Sequence, residues 1–146
     1  MSNVNNYLNL IEHNVRLLEL LTGIRPQHLE KEDFSDWRVT IVFYISCIYI
    51  KAACSLLGID IQDHFTLHSI INTQKEFLPI SKYYRHIEEA SRDARYEGRK
   101  FDKNFITKRI LPKFNEVRDC AVSLIKQKGV SNITGVDIKP FLDRLL

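Results

Sequence analysis

The chain has 146 residues, 45% of them apolar and 27% charged, with a formal net charge of +3. Those proportions suit one folded domain with a real core and exclude a disordered chain. The mild positive charge permits an anionic partner without demanding one, and three cysteines without a CxxC spacing read as reduced, buried thiols rather than a disulfide frame.

Apolar residues Val4, Leu8, Ile11, Val15 and Leu18 recur at alternating steps of four and three, the mark of one helical face. Gly23 stands where a helix stops, so the first helix is expected over about 4–22. A polar connection with Pro26 follows. Asp33 or Ser35 is placed to cap a second helix from Trp37 to about Leu57, with Asp36 in its first turn. That helix is apolar almost all round. Trp37, Ile41, Tyr44, Ile45, Ile48 and Ala52 form one stripe, and Phe43, Cys47, Ile50 and Cys54 form another. Such a helix is central in a bundle or offers its second face to a partner.

The same run, 39–59, raises a membrane question, since about 20 apolar residues span a bilayer. Lys51 interrupts it near the middle, at a cost of about 3 kcal/mol on insertion scales. The uninterrupted part has the length of a buried core helix, and the start of the chain lacks the pattern of a signal peptide. The expectation is therefore a cytoplasmic protein with no membrane partner.

Asp63 is expected to cap a third helix over about 64–78, ended by Pro79. Ser81 is expected to cap a fourth over about 82–97, stopped by Gly98. A fifth carries Leu111, Phe114, Val117, Ala121, Leu124 and Ile125 on one side. It starts or kinks near Pro112 and ends at Gly129. The tail, 130–146, has room for a short helix in PFLDRLL whose leucines need something to pack on. No strand signal, repeat or linker interrupts the sequence. The fold expected is a single all-α, up-down bundle of four to five helices over 1–146, plus a short C-terminal helix.

The chemistry concentrates in the fourth helix. EEASRDARYEGRKF, residues 88–101, aligns Glu89, Asp93 and Glu97 on one line and Arg92, Arg95 and Arg99 on a neighbouring one, with Tyr96 beside them. Alternating signs at i,i+4 would stabilise a purely structural face, whereas like charges in line cost stability. Lys82, Arg85, Lys100 and Lys103 extend the positive side. His64 and His68 share one face at the start of the third helix. That spacing suits a metal or a phosphate, but no third ligand is near and HExxH is not matched, so no metal site and no cofactor are read. The cysteines of the second helix sit in surroundings that disfavour a thiolate, and no glycine-rich phosphate loop or G-x-S-x-G occurs.

Trp37, the pair Phe43-Tyr44, the small residues toward Ala52, His64, and Tyr84 through Ser91-Arg92-Asp93-Ala94-Arg95-Tyr96 together resemble HEPN-type domains over about 35–125. The resemblance implies a bundle that dimerises through its long helices and binds nucleotides or RNA. Many such domains are metal-independent ribonucleases of toxin–antitoxin or anti-phage systems. Their Arg-x(4–6)-His signature is missing: no arginine in this chain has a histidine at that spacing, and Ile48 stands where related sequences often carry a histidine.

The reading is thus a non-catalytic, homodimeric RNA- or nucleotide-binding module of a toxin–antitoxin or defence system. Arg85, Arg92, Arg95 and Arg99 would contact phosphate, and Tyr96 would stack on a base or pack over the dimer groove. One alternative is a metal-independent endoribonuclease with a composite site, in which Arg92 or Arg95 holds phosphate and His64 or His68 acts as base. Another is an antitoxin or accessory subunit that grips a protein partner through the second helix or the C-terminal tail.

Overall fold

The computed structural model describes residues 4–22 and 33–143. The connection with Pro26, the expected stop at Gly23, and Leu145 and Leu146 lie outside them. Among the described residues no strand occurs, and the chain is an all-α helical bundle. Its elements are α1 (Val4–Thr22), α2 (Ser35–Leu56), α3 (His64–Thr73), α4 (Ser81–Glu97), α5 (Lys103–Phe105), α6 (Leu111–Gln127) and α7 (Lys139–Asp143).

The bundle is organised around α2, which α1, α4 and α6 all pack against. Both apolar stripes of α2 are used: Ile41, Phe43, Ile45, Cys47, Ile48, Ile50, Ala52 and Cys54 are all buried. Each fully buried large apolar side chain contributes about 1.5–3 kcal/mol relative to exposure, so this helix dominates the core. It is also the one described helix long and apolar enough to cross a membrane, and 78% of that window is buried inside the fold. The second face that the sequence left available for a partner is covered by the chain's own helices. Unpartnered apolar side chains lie on α1 instead, where Leu10, Leu17 and Leu20 are exposed while Ile11 and Leu18 are buried.

Contacts along α2 and α4 run in opposite chain directions. Ser35 meets Phe101 beyond the end of α4, and Cys47 meets Tyr84 near its start. The start of α2 is pinned differently from expectation. Neither Asp33 nor Ser35 caps it by side chain, and Phe34 holds the cap position. Asp33 instead accepts the Ser35 amide at 2.8 Å, and the buried Ser35 hydroxyl accepts the Phe101 amide at 2.8 Å. Lys100 adds a bond to the Asp33 carbonyl at 2.8 Å and an ion pair with Asp36 at 2.9 Å. These contacts tie the segment after α4 to the head of α2.

Asp63 does cap α3, accepting the Thr66 amide at 2.7 Å. The helix ends at Thr73 rather than near residue 78, because Gln74 turns into extended backbone and a 3₁₀ turn, Leu78–Ile80, carries Pro79 into α4. Ser81 is therefore the first residue of α4 and not its cap; its hydroxyl donates back to the Leu78 carbonyl. Gly98 ends α4 at φ 62°, a left-handed cap that a side chain resists.

The fifth helix begins upstream of the expected start. Asp102 caps α5 through the Phe105 amide, and a π turn, Ile106–Ile110, leads directly into α6 with Pro112 at its second position. Proline lacks the amide that an α-helix needs and clashes with the carbonyl four residues back; the wider π turn just before it accommodates both. The apolar side of α6 buries Leu111, Phe114, Val117, Ala121 and Ile125 as expected, and Val122 as well, with Leu124 half-buried. The tail returns over this face. Tyr49 accepts the Val136 amide at 3.0 Å, Arg118 donates to the Val136 carbonyl at 2.8 Å, and Ile133, Ile138 and Leu142 are buried. The described part of the tail spends its apolar residues inside the fold.

Two substitutions test this architecture. Ile45→Ala, at a fully buried position of α2, should cost about 2–5 kcal/mol in urea unfolding. Gly98→Ala meets open space but a strained backbone, and should cost about 1–2 kcal/mol.

Candidate functional site

Helix α4 has one inward face, with Tyr84, Ile87, Ala90, Ser91 and Ala94 buried against the core. Its arginines flank that face at helical spacing, and each meets a different environment.

Glu88 is the centre of the first group. Only 8% exposed, it takes the His68 Nδ1 at 3.2 Å and the Arg92 guanidinium at 3.6 Å on one carboxylate oxygen. A buried carboxylate is costly unless partnered, and these two groups offset that cost. His64, Phe65, His68, Glu88 and Arg92 line an open cleft of about 270 Å³ between α3 and α4. Phe65 is 84% exposed at its edge.

Arg95 is the centre of the second group. It makes no ion pair with any described carboxylate, and its Nε donates to the Ser91 carbonyl at 3.3 Å. Its guanidinium lies over three aromatic rings, 5.3 Å from Phe43, 5.8 Å from Tyr44 and 5.3 Å from Tyr96. Rings hold a guanidinium by its flat face without neutralising it. The His64 ring packs on the same aromatic pair, 6.0 Å from Phe43 and 6.3 Å from Tyr44. Partial burial, with the positive charges of Lys51 and Arg95 nearby, holds the His64 imidazole below its ordinary pKa; Glu88 and Asp63 pull weakly the other way. His64 is thus a neutral base at neutral pH. On another side Arg95 joins Asp36, Trp37, Thr40 and Ala94 around a second cleft of about 280 Å³.

The expected site residues therefore separate. His64, His68 and Arg92 share one cleft. Arg95 lines the other cleft and rests on the aromatic pair that His64 also packs against, and Tyr96, 73% exposed, lies against its guanidinium. Arg99 is taken up elsewhere: it pairs with Asp93 at 3.0 Å and stacks on Phe101 and Phe105 at 4.8 and 5.0 Å. Arg85 is exposed and reaches Asn72 at 3.5 Å. Glu88, Phe65 and Trp37 belong to the site although sequence spacing marked none of them as binding residues. Lys51, read from sequence as a break in an apolar run, acts here through its charge.

Comparison with protein-family models, curated proteins and solved structures finds no match to this chain.

Among the described residues no three His, Cys, Asp or Glu side chains form a metal-binding group. The cysteines of α2 are buried, and burial pushes both Cys47 and Cys54 up to about 12, far from a reactive thiolate. Cys47 lies 3.4 Å from the Tyr84 hydroxyl, a contact inside the core.

The lowered proton affinity of His64 links stability to pH. The folded state binds fewer protons at this ring than the unfolded chain, so its contribution to stability is present above about pH 6.5 and fades as pH falls through and below that value. In a proton NMR titration, Lys51→Ala and Arg95→Ala should each raise the His64 pKa, and Glu88→Gln should lower it further. An unmoved His64 in all three variants would contradict the charge arrangement.

Proposed function

We propose that the protein binds single-stranded RNA or a nucleotide in the two clefts flanking Arg95. The observation that carries this reading is the state of Arg95: a guanidinium with no described carboxylate partner, which rests on Phe43, Tyr44 and Tyr96, lines the second cleft, and shares the Phe43–Tyr44 pair with His64 of the first. A ligand that offers both an anion and a flat ring matches what the clefts present. Phosphate meets the guanidinium, and exposed aromatic side chains (Trp37, Phe65, Tyr96) supply platforms for bases. The HEPN resemblance, with its nucleotide- and RNA-binding members, agrees with this reading. Arg92 and Arg95 are the phosphate ligands in this version, and Arg99, engaged with Asp93, is not.

Binding of a fluorescein-labelled RNA oligonucleotide, followed by anisotropy, tests it, with a mononucleotide as competitor to distinguish the two ligand sizes. Arg95→Ala should weaken binding at least tenfold, with a shallower salt dependence by roughly 0.7 in log–log slope, while Arg99→Ala should leave affinity within about threefold. Equal loss for both variants, or no binding by the unaltered protein, would overturn the assignment.

A second reading, a metal-independent endoribonuclease, is favoured by one specific observation: the two imidazoles of the first cleft sit in opposite electrostatic surroundings. Partial burial and the nearby charges of Lys51 and Arg95 hold the His64 imidazole below its ordinary pKa, whereas His68 lies against the Glu88 carboxylate. In such chemistry the neutral imidazole removes the 2′-OH proton and the new O2′–P bond forms. The P–O5′ bond breaks as the second imidazole returns a proton to O5′, leaving a 2′,3′-cyclic phosphate and a 5′-hydroxyl. Arg92 stands beside this pair to stabilise the phosphorane. Cleavage of RNA in EDTA that falls at least 100-fold in both His64→Ala and His68→Ala would support this reading. Intact RNA after prolonged incubation with protein that binds it would leave the binding module alone.

A further inference from the structure

We infer that the cleft around Trp37 is a base-binding subsite, which seats one nucleobase on the Trp37 indole with its phosphate on Arg95. This deepens the nucleotide-binding reading and rests on it. Trp37 is the only tryptophan in the chain and is 57% exposed, although it lies on the most apolar helix of the fold. In the first turn of α2 this ring forms a wall of the cleft that Arg95 also lines.

The polar groups around it sort into occupied and available. Asp36 accepts the Trp37 amide at 2.9 Å and pairs with Lys100 at 2.9 Å. The Thr40 hydroxyl donates to the Asp36 carbonyl at 2.8 Å. The Asp36 charge and the Thr40 hydroxyl proton are thus engaged within the chain, and these groups offer only acceptor lone pairs to the edge of a base. What remains is an aromatic face and, across the cleft, the Arg95 guanidinium. That combination recognises a ring by stacking and an anion by charge, so the subsite tolerates any base and favours the larger purines. A volume of about 280 Å³, at the low end for ligand clefts, suits one base with its phosphate better than an extended cofactor.

Arg95 also faces the aromatic pair that carries His64, so a phosphate on this guanidinium lies at the junction of the two clefts. The Trp37 subsite then holds the nucleotide on one side of that phosphate, and the cleft of His64, His68 and Phe65 takes the neighbour on the other. A strand crossing Arg95 is gripped by one base on each side.

The single tryptophan makes the test direct. Titration of the protein with a hexa-adenylate RNA should quench Trp37 emission to saturation, whereas ribose 5-phosphate, which has no base, should not quench it at concentrations that compete for binding. Labelled hexa-adenylate, read by anisotropy, should bind Trp37→Ala roughly tenfold or more weakly, the size of one lost base stack, and Trp37→Phe should recover most of that loss. If the RNA binds with unchanged tryptophan emission and equal affinity for Trp37→Ala, the subsite is wrong and the broader reading stands. If the unaltered protein binds neither RNA nor adenosine monophosphate, both fall together. The emission arm uses the unaltered chain, so a misfolded variant does not blunt the result.

Discussion

Helix α2 has almost no polar side, and the fold is the solution to covering it. Three helices are needed to bury a cylinder that is apolar all round, and α1, α4 and α6 supply them. The contact with α4 is the one that matters for chemistry. Antiparallel pairing sets Phe43 and Cys47 against Tyr84 and brings Ser35 to Phe101, so the charged half of α4 runs beside the head of α2. Because α4 can commit only one face to that contact, its arginine line falls at the edge of the interface. Arg95 therefore rests on Phe43 and Tyr44 rather than reaching into solvent alone.

The charges on α4 divide the arginines by what each finds nearby. Asp93 takes Arg99 and removes it from play. Glu88, off the acidic line and buried, takes Arg92 together with His68. Glu89 and Glu97 stay exposed and are no partners for Arg95. The aligned acids and bases that look unfavourable along a single helix are thus resolved in three dimensions. Two arginines are neutralised by carboxylates to different degrees, and one is stabilised by rings. Ring contacts orient a guanidinium but leave its charge uncompensated, so Arg95 keeps its positive charge at the edge of the interface, and it acts with Lys51 on His64.

Local signals were readable in the sequence and non-local ones were not. The first helix, the Asp63 cap, the Gly98 stop and the buried side of α6 all follow from spacing within one turn or one face, and the structure reproduces them. The C-terminal end of α3 and the start of the helical run before α6 depart from expectation: Gln74 turns extended and a 3₁₀ turn carries Pro79 into α4, while a π turn carries the chain into α6 ahead of Pro112. For the site, residue types on single helices were legible: His64 and His68 on one face, the arginines on another. The partners were not. Nothing in spacing ties Phe43 to Arg95, or Lys51 to His64, and nothing distinguishes Arg95 from Arg99. Those distinctions come from which neighbouring helix lies alongside.

The two imidazoles illustrate how far such placement can go. His64 and His68 are the same residue type, four positions apart on one short helix, and sequence treats them alike. In the fold His64 leans toward α2, where partial burial first, and then the charges of Lys51 and of Arg95 on α4, disfavour its protonation, while His68 leans toward Glu88. A phosphate settling on Arg95 would cancel part of the positive field at His64 and raise its proton affinity. By linkage, a proton on His64 would then strengthen the grip on that phosphate by the same factor. Anion and proton would then be coupled through one guanidinium, because the apolar demand of α2 set that guanidinium on the aromatic pair against which His64 packs.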